Sequence, residues 1–251
     1  MTIPAESLQL PLGVPILAVR KIPDHRSEMV NQLIFGETVT IVDQKDHWLY
    51  IQSFHDQYFG WIENHAHYFF PANDLEKQKV VCSPLAYVQK ANLRIYIPFG
   101  AFWQPSWGEL LEGEMLDERM SQAEVLKTLY KVFLGAPYLW GGRSIWGIDC
   151  SGLSQLYARL LGISLPRDAK DQALMGEEVL FGQWQQGDLV FFSNNQQSKV
   201  NHVGIAWKDG YILHASGTVR LDAIDVHGIY HLENKMYTHR YLLAKRIKLP
   251  G

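Results

Sequence analysis

The chain is poor in cysteine, in net charge and in long apolar runs, and each shortage excludes a class of protein. Only Cys82 and Cys150 occur among 251 residues, so a disulfide-rich scaffold is excluded and a reducing compartment, the cytoplasm, is expected. A net charge of −3 predicts neither a nucleic-acid partner nor a membrane partner. No apolar run approaches the length of a membrane span. The first thirteen residues lack the basic and apolar regions of a signal peptide.

A Gly-rich, aromatic loop runs into an amphipathic segment in residues 138–161. The apolar residues of the segment recur at helical spacing, and they are Leu153, Leu156, Tyr157, Leu160 and Leu161. Asp149 is a favourable N-cap and Gly162 a favourable residue after a helix end, so a helix between Asp149 and Leu161 is expected. Cys150 would lie in its first turn, where unpaired amides and the helix dipole favour a thiolate. The thiol is either a nucleophile or a small packed side chain.

Two histidines lie on a predicted β-hairpin further along the chain. The stretch reads NHVGIAWKDGYILHASG, two apolar runs around a turn signal. A three-residue loop with Gly210 in the left-handed conformation places His214 opposite Gly204 and His202 opposite Ser216. Both histidines then point to one face within reach of each other, whereas a two-residue loop would separate them. Gly204 is expected to leave room on that face for a helix end.

A Cys, a His and a second polar residue that orients the His form the arrangement of nucleophilic catalysis. The same three side chains, Cys150, His202 and His214, could instead ligate zinc. A structural zinc site needs a fourth ligand at short spacing, and none is evident. No metal and no cofactor are therefore expected.

Four motifs occur in a diagnostic order, and they are Asp149-Cys150-Ser151-Gly152, Gly187-Asp188-Leu189-Val190-Phe191-Phe192, His202-Val203-Gly204-Ile205 and His214-Ala215-Ser216. In this order they resemble the NlpC-type cell-wall cysteine peptidases, a papain-like family that cleaves peptidoglycan peptides. The resemblance covers about residues 116–249. It implies that Cys150 is the nucleophile, His202 the base and His214 its orienting partner. It also implies that Tyr138 lines the site, although Tyr138 could equally pack beneath the loop.

The N-terminal part resembles the bacterial SH3-like domains that accompany these peptidases. Residues 26–37 and 56–61 are similar to the barrel of gamma-D-glutamyl-L-diamino acid endopeptidases, which act on murein fragments with a free N-terminal L-Ala. The resemblance implies that four side chains hold the substrate amine, and they are Glu37 and Tyr58 of the barrel and Asp149 and Ser151 beside the nucleophile. Glu37 could instead be a solvated turn residue, and Tyr58 a packed strand aromatic.

The predicted fold class is α+β, with a papain-like catalytic domain behind one or two small barrels. Residues 1–70 are assigned to the SH3-like barrel, 71–115 to a second, reduced β module or linker, and 116–251 to the catalytic domain. Ser121 and Glu124 predict a capping box at the first catalytic helix. His65 and His67 alternate as strand residues do and are interpreted as a surface pair rather than a metal site.

The predicted activity is hydrolysis of the γ-D-Glu to diamino acid bond of murein peptides, in cell-wall recycling. The identity of the diamino acid and the oligomeric state do not follow from the sequence. Two alternatives remain at this point. An acyltransferase or amidase would use the same Cys-His-His triad, and a non-catalytic wall-binding protein would not need the triad that is present.

Overall fold

The computed structural model describes residues 9–65, 68–71, 78–117, 120–193 and 199–249. The predicted partner of His65, His67, and most of the predicted linker 71–78 lie outside these ranges, as do the first eight residues. The chain divides into two compact units, Met1–Asp117 and Glu118–Gly251. Within the described ranges, no helix is both long enough and apolar enough to cross a membrane.

The first unit begins with a six-stranded antiparallel sheet in the order β1-β4-β5-β6-β2-β3. Its strands are β1 (Gln9–Pro11), β2 (Ile16–Arg20), β3 (Met29–Ile34), β4 (Thr38–Lys45), β5 (Trp48–Ser53) and β6 (Phe59–Glu63). Alternate side chains of β5 point inward, so Leu49 and Ile51 are buried. They join a core that also contains Leu12, Val19, Leu33, Val39 and Ile62.

Two three-stranded sheets complete the first unit, in the orders β10-β7-β12 and β11-β8-β9. Their strands are β7 (Lys79–Val81), β8 (Leu85–Lys90), β9 (Leu93–Pro98), β10 (Phe102–Trp103), β11 (Glu109–Glu112) and β12 (Met115–Leu116), with a short 3-10 helix at Pro105–Trp107. Phe35 packs in the same core as Phe70 and Trp107, and the last two rings stack with centroids 5.0 Å apart. The predicted boundary at residue 70 stays a prediction.

The second unit opens with helix α1 (Gln122–Phe133). The predicted capping box is confirmed, because the Ser121 hydroxyl accepts from the Glu124 amide while the Glu124 carboxylate accepts from the Ser121 amide. Leu126 and Leu129 lie on the buried stripe of this helix. The chain leaves α1 through Gly135, whose φ of 80° is left-handed.

The second unit also contains a seven-stranded antiparallel sheet, in the order β15-β21-β16-β17-β18-β19-β20. The remaining elements are β13 (Arg143–Ser144), β14 (Gly147–Ile148), α2 (Cys150–Leu160), α3 (Ala169–Gln172), β15 (Glu177–Val179), β16 (Leu189–Ser193), β17 (His202–Ala206), β18 (Tyr211–Ser216), β19 (Thr218–Asp225), β20 (Gly228–His231) and β21 (Met236–Arg246). Strand β21 also pairs with β20, so β16 to β21 close into a ring. Helix α2 packs against β17 and β18, which brings its first turn to the hairpin that carries the two histidines. The α+β prediction is confirmed.

Candidate active site

Helix α2 positions the thiol of Cys150. The helix begins at Cys150, as predicted, because the Asp149 carboxylate accepts a hydrogen bond from the Gly152 amide at 2.7 Å and caps the first turn. It ends where Gly162 takes a φ of 76°. Cys150 is only 5% exposed, and the Val203 amide hydrogen-bonds its sulfur. Val203 follows His202 in β17, so the thiol lies against the strand that carries the candidate base.

The hairpin β17–β18 has the predicted register. Gly204 pairs with His214, and Gly210 in the connecting loop has a φ of 75°. A Cβ on Gly204 would meet the side chain of Ile212 at 2.7 Å and that of His214 at 3.1 Å, so the neighbouring strand fills the space beside this glycine. The predicted approach of a helix end to Gly204 stays a prediction.

Three buried side chains form a hydrogen-bonded row on the face of this sheet. Nε2 of His202 lies 2.9 Å from Nδ1 of His214. Nε2 of His214 lies 3.1 Å from Oδ2 of Asp222, and Nε of Arg220 is 2.7 Å from the same carboxylate oxygen. His202 is 5%, His214 1% and Asp222 2% exposed, so bulk water does not compete for these contacts.

The row determines the protonation of each ring. Burial by itself raises the pKa of Asp222, but the hydrogen bond from His214 and the adjacent guanidinium of Arg220 outweigh it, and the pKa lies below its ordinary value. An ionised Asp222 only accepts, so Nε2 of His214 carries a proton and its Nδ1 accepts from Nε2 of His202. Nδ1 of His202 is then left with a lone pair, which is what a general base requires.

Burial determines the resting charge of the thiol and of its candidate base. It raises the pKa of Cys150 to about 12, and the neighbouring charge of Asp149 adds to this effect. The helix start favours the thiolate, as predicted, but removal of the sulfur from water is the larger effect. Burial also lowers the pKa of His202 well below its ordinary value, and the adjacent His239 and His214 lower it further. Burial thus favours the neutral thiol and the neutral imidazole over the ion pair.

A third histidine packs on the candidate base. The rings of His239 and His202 stack with centroids 4.1 Å apart and planes 24° apart. Burial lowers the pKa of His239 to about 4, so this ring is neutral as well. Both rings line a cleft of about 240 Å³, together with Tyr138, Asn201, Ala215, Ser216 and Gly217. Burial raises the pKa of Tyr138, and the nearby Cys150 and Asp149 raise it further, so Tyr138 does lie at the candidate site.

Asp149 and Ser151, predicted to contact substrate, are held by a buried arginine. Arg167 binds Asp149 through two contacts, Nη1 to Oδ1 at 3.1 Å and Nη2 to Oδ2 at 2.5 Å. It also donates to the Ser151 hydroxyl at 2.7 Å, and the amide of Gly141 donates to Asp149 at 2.8 Å. Asp149 is 3% exposed. These contacts give it a structural role, and its predicted contact with a substrate amine stays a prediction.

Glu37 and Tyr58 belong to the first unit. Glu37 follows the turn after β3 and is 1% exposed, so the alternative of a solvated turn residue is wrong. Its carboxylate accepts from the Ile34 amide at 2.9 Å and lies 3.4 Å from Nε2 of His55. Tyr58 is half-buried just before β6. Their predicted contact with substrate stays a prediction.

The sequence patterns did not identify Asp222, Arg167 or His239 as site residues. Asp222 could have been found, because a tight turn at Gly217 continues the alternation into β19 and pairs Arg220 with His214. Asp222 is then a diagonal neighbour on the histidine face. Arg167 and His239 gave no such signal, since their contacts join segments distant in the chain.

The comparisons with known proteins concern the family and the fold. Residues 135–246 match the NlpC/P60 family and residues 19–66 match the bacterial dipeptidyl-peptidase Sh3 domain. A gamma-D-glutamyl-L-lysine dipeptidyl-peptidase of Bacillus cereus is 28% identical over 257 residues, covering 86% of this chain and 76% of that one. The protein of the same name from Bacillus subtilis is 28% identical over 74% of this chain and 72% of its own length. The crystal structure of an NlpC/P60 family protein from Bacillus cereus covers 96% of this chain and 100% of that one, at 20% identity and a TM-score of 0.75.

Proposed function

We propose that this peptidase, which joins an NlpC/P60 domain to a bacterial SH3 domain, is a cysteine endopeptidase that cleaves the γ-D-Glu to diamino acid bond of murein peptides with a free N-terminal L-Ala. The observation that carries the proposal is the row His202–His214–Asp222 beside Cys150. This row leaves a basic nitrogen on His202 next to a helix start that bears a thiol.

The first half of the reaction forms an acyl-enzyme. Sγ of Cys150 attacks the γ-carbonyl carbon of D-Glu while Nδ1 of His202 takes the thiol proton. Because the resting pair is neutral, proton transfer accompanies attack. The imidazolium that forms donates from Nε2 to His214, which Asp222 holds in place. The Cys150 amide at the helix start, with Tyr138 beside it, is the proposed donor to the oxyanion.

The second half releases both products. The imidazolium gives its proton to the leaving amine of the diamino acid, the amide C–N bond breaks, and a thioester remains on Cys150. Water then attacks the thioester with His202 as base. The new carboxylic acid carries the oxygen of that water, and the thiol recovers a proton. Each turnover consumes one water and requires no cofactor.

Three observations support the substrate class. Two of the relatives are named gamma-D-glutamyl-L-lysine dipeptidyl-peptidases, a name that specifies a bond after a γ-linked D-glutamate. The matched SH3 model is the one of bacterial dipeptidyl-peptidases, enzymes that must recognise a free amino end. The cleft beside His202 is open and mostly lined by small or polar side chains, which suits a peptide better than an apolar ligand.

We place the reaction in the cytoplasm, in the recycling of cell-wall peptides. The support is chemical, because the thiols of Cys82 and Cys150 are both free and a nucleophilic thiol persists best under reducing conditions. The murein peptide is the proposed partner, with no nucleic acid and no membrane.

The decisive experiment is incubation of the purified chain with L-Ala-γ-D-Glu-diaminopimelate and with L-Ala-γ-D-Glu-L-Lys, followed by mass analysis. We expect L-Ala-D-Glu and the free diamino acid from at least one peptide. Hydrolysis of an α-linked control peptide, with both γ-linked peptides left intact, would overturn the substrate proposal. Transfer to an added amine in place of water would favour the acyltransferase alternative.

A further inference from the structure

A second cluster of ligating side chains lies in the first unit, on the six-stranded sheet. It consists of His25, His47 and Glu63, here called the histidine–glutamate cluster. Each side chain offers one ligand atom, and these atoms all lie within 4.8 Å of one another. His65 is a neighbour of the cluster, since its Nε2 lies 3.2 Å from Oε1 of Glu63.

The fold brings the three residues together from separate segments. His47 precedes β5 and Glu63 ends β6, and the two strands pair so that Trp48 lies opposite Glu63. The Asn64 amide also donates to the carbonyl of His47 at 2.8 Å. His25 belongs to the turn between β2 and β3, far from both in the chain.

The positions of both histidines are constrained by local contacts. The ring of Trp48 lies beneath both of them, with centroids 4.9 Å from His25 and 5.6 Å from His47. The turn of His25 is closed because the Ile22 amide donates to the Ser27 hydroxyl at 3.1 Å. The backbone of each histidine is thus fixed, while its imidazole remains exposed to solvent.

We propose that the histidine–glutamate cluster binds a divalent transition-metal ion of the zinc type. Two imidazoles and one carboxylate are the ligands that zinc takes in open sites, with the fourth position left for water. A tetrahedral ion with bonds of about 2.0–2.2 Å holds its ligand atoms roughly 3.3–3.6 Å apart. The two imidazoles are exposed and Glu63 is half-buried, so a bound ion would draw the three ligand atoms closer together than the 4.8 Å within which they now lie.

The donor set also defines which ions are rejected. Mg²⁺ and Ca²⁺ take oxygen ligands, so a site with two nitrogens and one carboxylate discriminates against them. Bound zinc would join the turn between β2 and β3 to the start of β5 and the end of β6. The inference is independent of the proposed function, since none of the three residues belongs to the proposed catalytic row.

The experiment is calorimetric titration of the full, tag-free chain, first treated with a chelator, with ZnCl₂ and in parallel with MgCl₂. Every sample carries Cys150→Ser, which removes the catalytic thiol as a competing ligand. We expect one zinc per chain and no saturable magnesium binding. His25→Ala and Glu63→Gln should each weaken zinc binding at least tenfold. His227→Ala, an exposed histidine of the second unit, is the matched control and should bind as the parent does.

Thermal unfolding in the absence of metal shows whether a variant has lost only a metal ligand or has also lost stability. The variants should melt with the parent in chelator, and added zinc should raise the Tm of the parent and of His227→Ala only. If a His25 variant is unstable, His47→Gln with Glu63→Gln provides the same comparison. Zinc binding that is absent, or equal in parent and ligand variants, would overturn the proposal.

Discussion

Oδ2 of Asp222 lies 3.1 Å from Nε2 of His214. Through this contact the carboxylate selects the tautomer of the proposed base, His202, although His214 lies between them. With Asp222 ionised, Nδ1 of His214 can only accept, so Nε2 of His202 must donate. The carboxylate does not touch substrate. It acts as a positioning residue, in the way that the acid of a catalytic triad holds the imidazole.

Asp222→Asn should therefore lower kcat by about 10- to 100-fold with little change in KM, because an amide can present either a donor or an acceptor to His214. The ¹⁵N shifts of the histidine rings should reveal a mixture of tautomers. Asp225→Asn, on the same strand and paired with Tyr237, is the matched control. If Asp222→Asn had the kinetics of the wild type, the proposed positioning role of the carboxylate would be wrong.

Cys150→Ser should abolish hydrolysis while the fold survives, since the two side chains are close in size. We expect a loss of roughly four orders of magnitude or more in kcat. Cys82→Ser serves as the control and should keep full activity, because Cys82 lies in the first unit and is not part of the proposed catalytic row. Comparable activity in Cys150→Ser would exclude the thiol as nucleophile.

His202→Ala should be far more damaging than His214→Ala. The first substitution removes the base, whereas the second only releases its orientation. We expect His202→Ala to approach the loss of Cys150→Ser, and His214→Ala to lose roughly 10- to 100-fold. Steady-state kinetics with the γ-linked peptides makes the comparison. A harmless His202→Ala would contradict the proposed roles, while equal losses would leave the peptidase itself in place.

The alkylation of Cys150 by iodoacetamide should require high pH. Burial raises the pKa of this thiol to about 12, above the ordinary value of about 8.5, so the thiolate fraction grows only as pH rises through the alkaline range. The rate is followed in Cys82→Ser, where one thiol remains. Alkylation that already reaches its plateau near pH 6 would demonstrate a preformed ion pair and contradict the neutral resting state.

The decline of kcat/KM at low pH tests the same neutral resting state, this time through His202. Hydrolysis needs neutral His202, and burial holds its pKa well below the ordinary value of about 6.5. Activity should therefore persist as pH falls through 6.5 and decline only at lower pH. A decline centred at or above 6.5 would show that burial does not determine the protonation of His202.

Glu37→Gln tests whether the first unit reads the free amine of the substrate. We expect the wild type to cleave L-Ala-γ-D-Glu-diaminopimelate and to reject its N-acetylated form. The substitution should lower the ratio of kcat/KM for the free peptide to kcat/KM for the acetylated peptide by roughly 10- to 100-fold, the effect of one charged hydrogen bond. Equal cleavage of both peptides by the wild type would show that no amine is read.

A control is needed, because Glu37 is buried against the Ile34 amide and His55, and its loss could act through stability. Tyr58→Phe is a milder change, because it removes only the hydroxyl of the other residue of the first unit that is predicted to hold the amine. Thermal unfolding of both variants then separates a specificity change from a damaged sheet.

The sequence predicted the local parts of this site well. The cap at Asp149 and the loop at Gly210 depend on a few adjacent residues, so the start of α2 and the register of His214 against Gly204 followed from pattern alone. The resting charge of Cys150 did not follow, because it depends on how deeply the whole sheet buries the sulfur. The contacts of Arg167 and His239 join segments distant in the chain, which no local pattern contains, whereas the position of Asp222 could have followed from the tight turn at Gly217.

The buried pair of Asp149 and Arg167 has a consequence for the motions of the enzyme. Helix ends commonly fray, since their first turn is held by few contacts. Here fraying would break both the cap and the buried ion pair with Arg167, and loss of one partner of a buried ion pair costs about 3–5 kcal/mol. The amides at the start of α2 should consequently exchange with solvent only when the surrounding domain opens as a whole. The nucleophile then keeps its position between turnovers, and substrate meets a site that is already assembled.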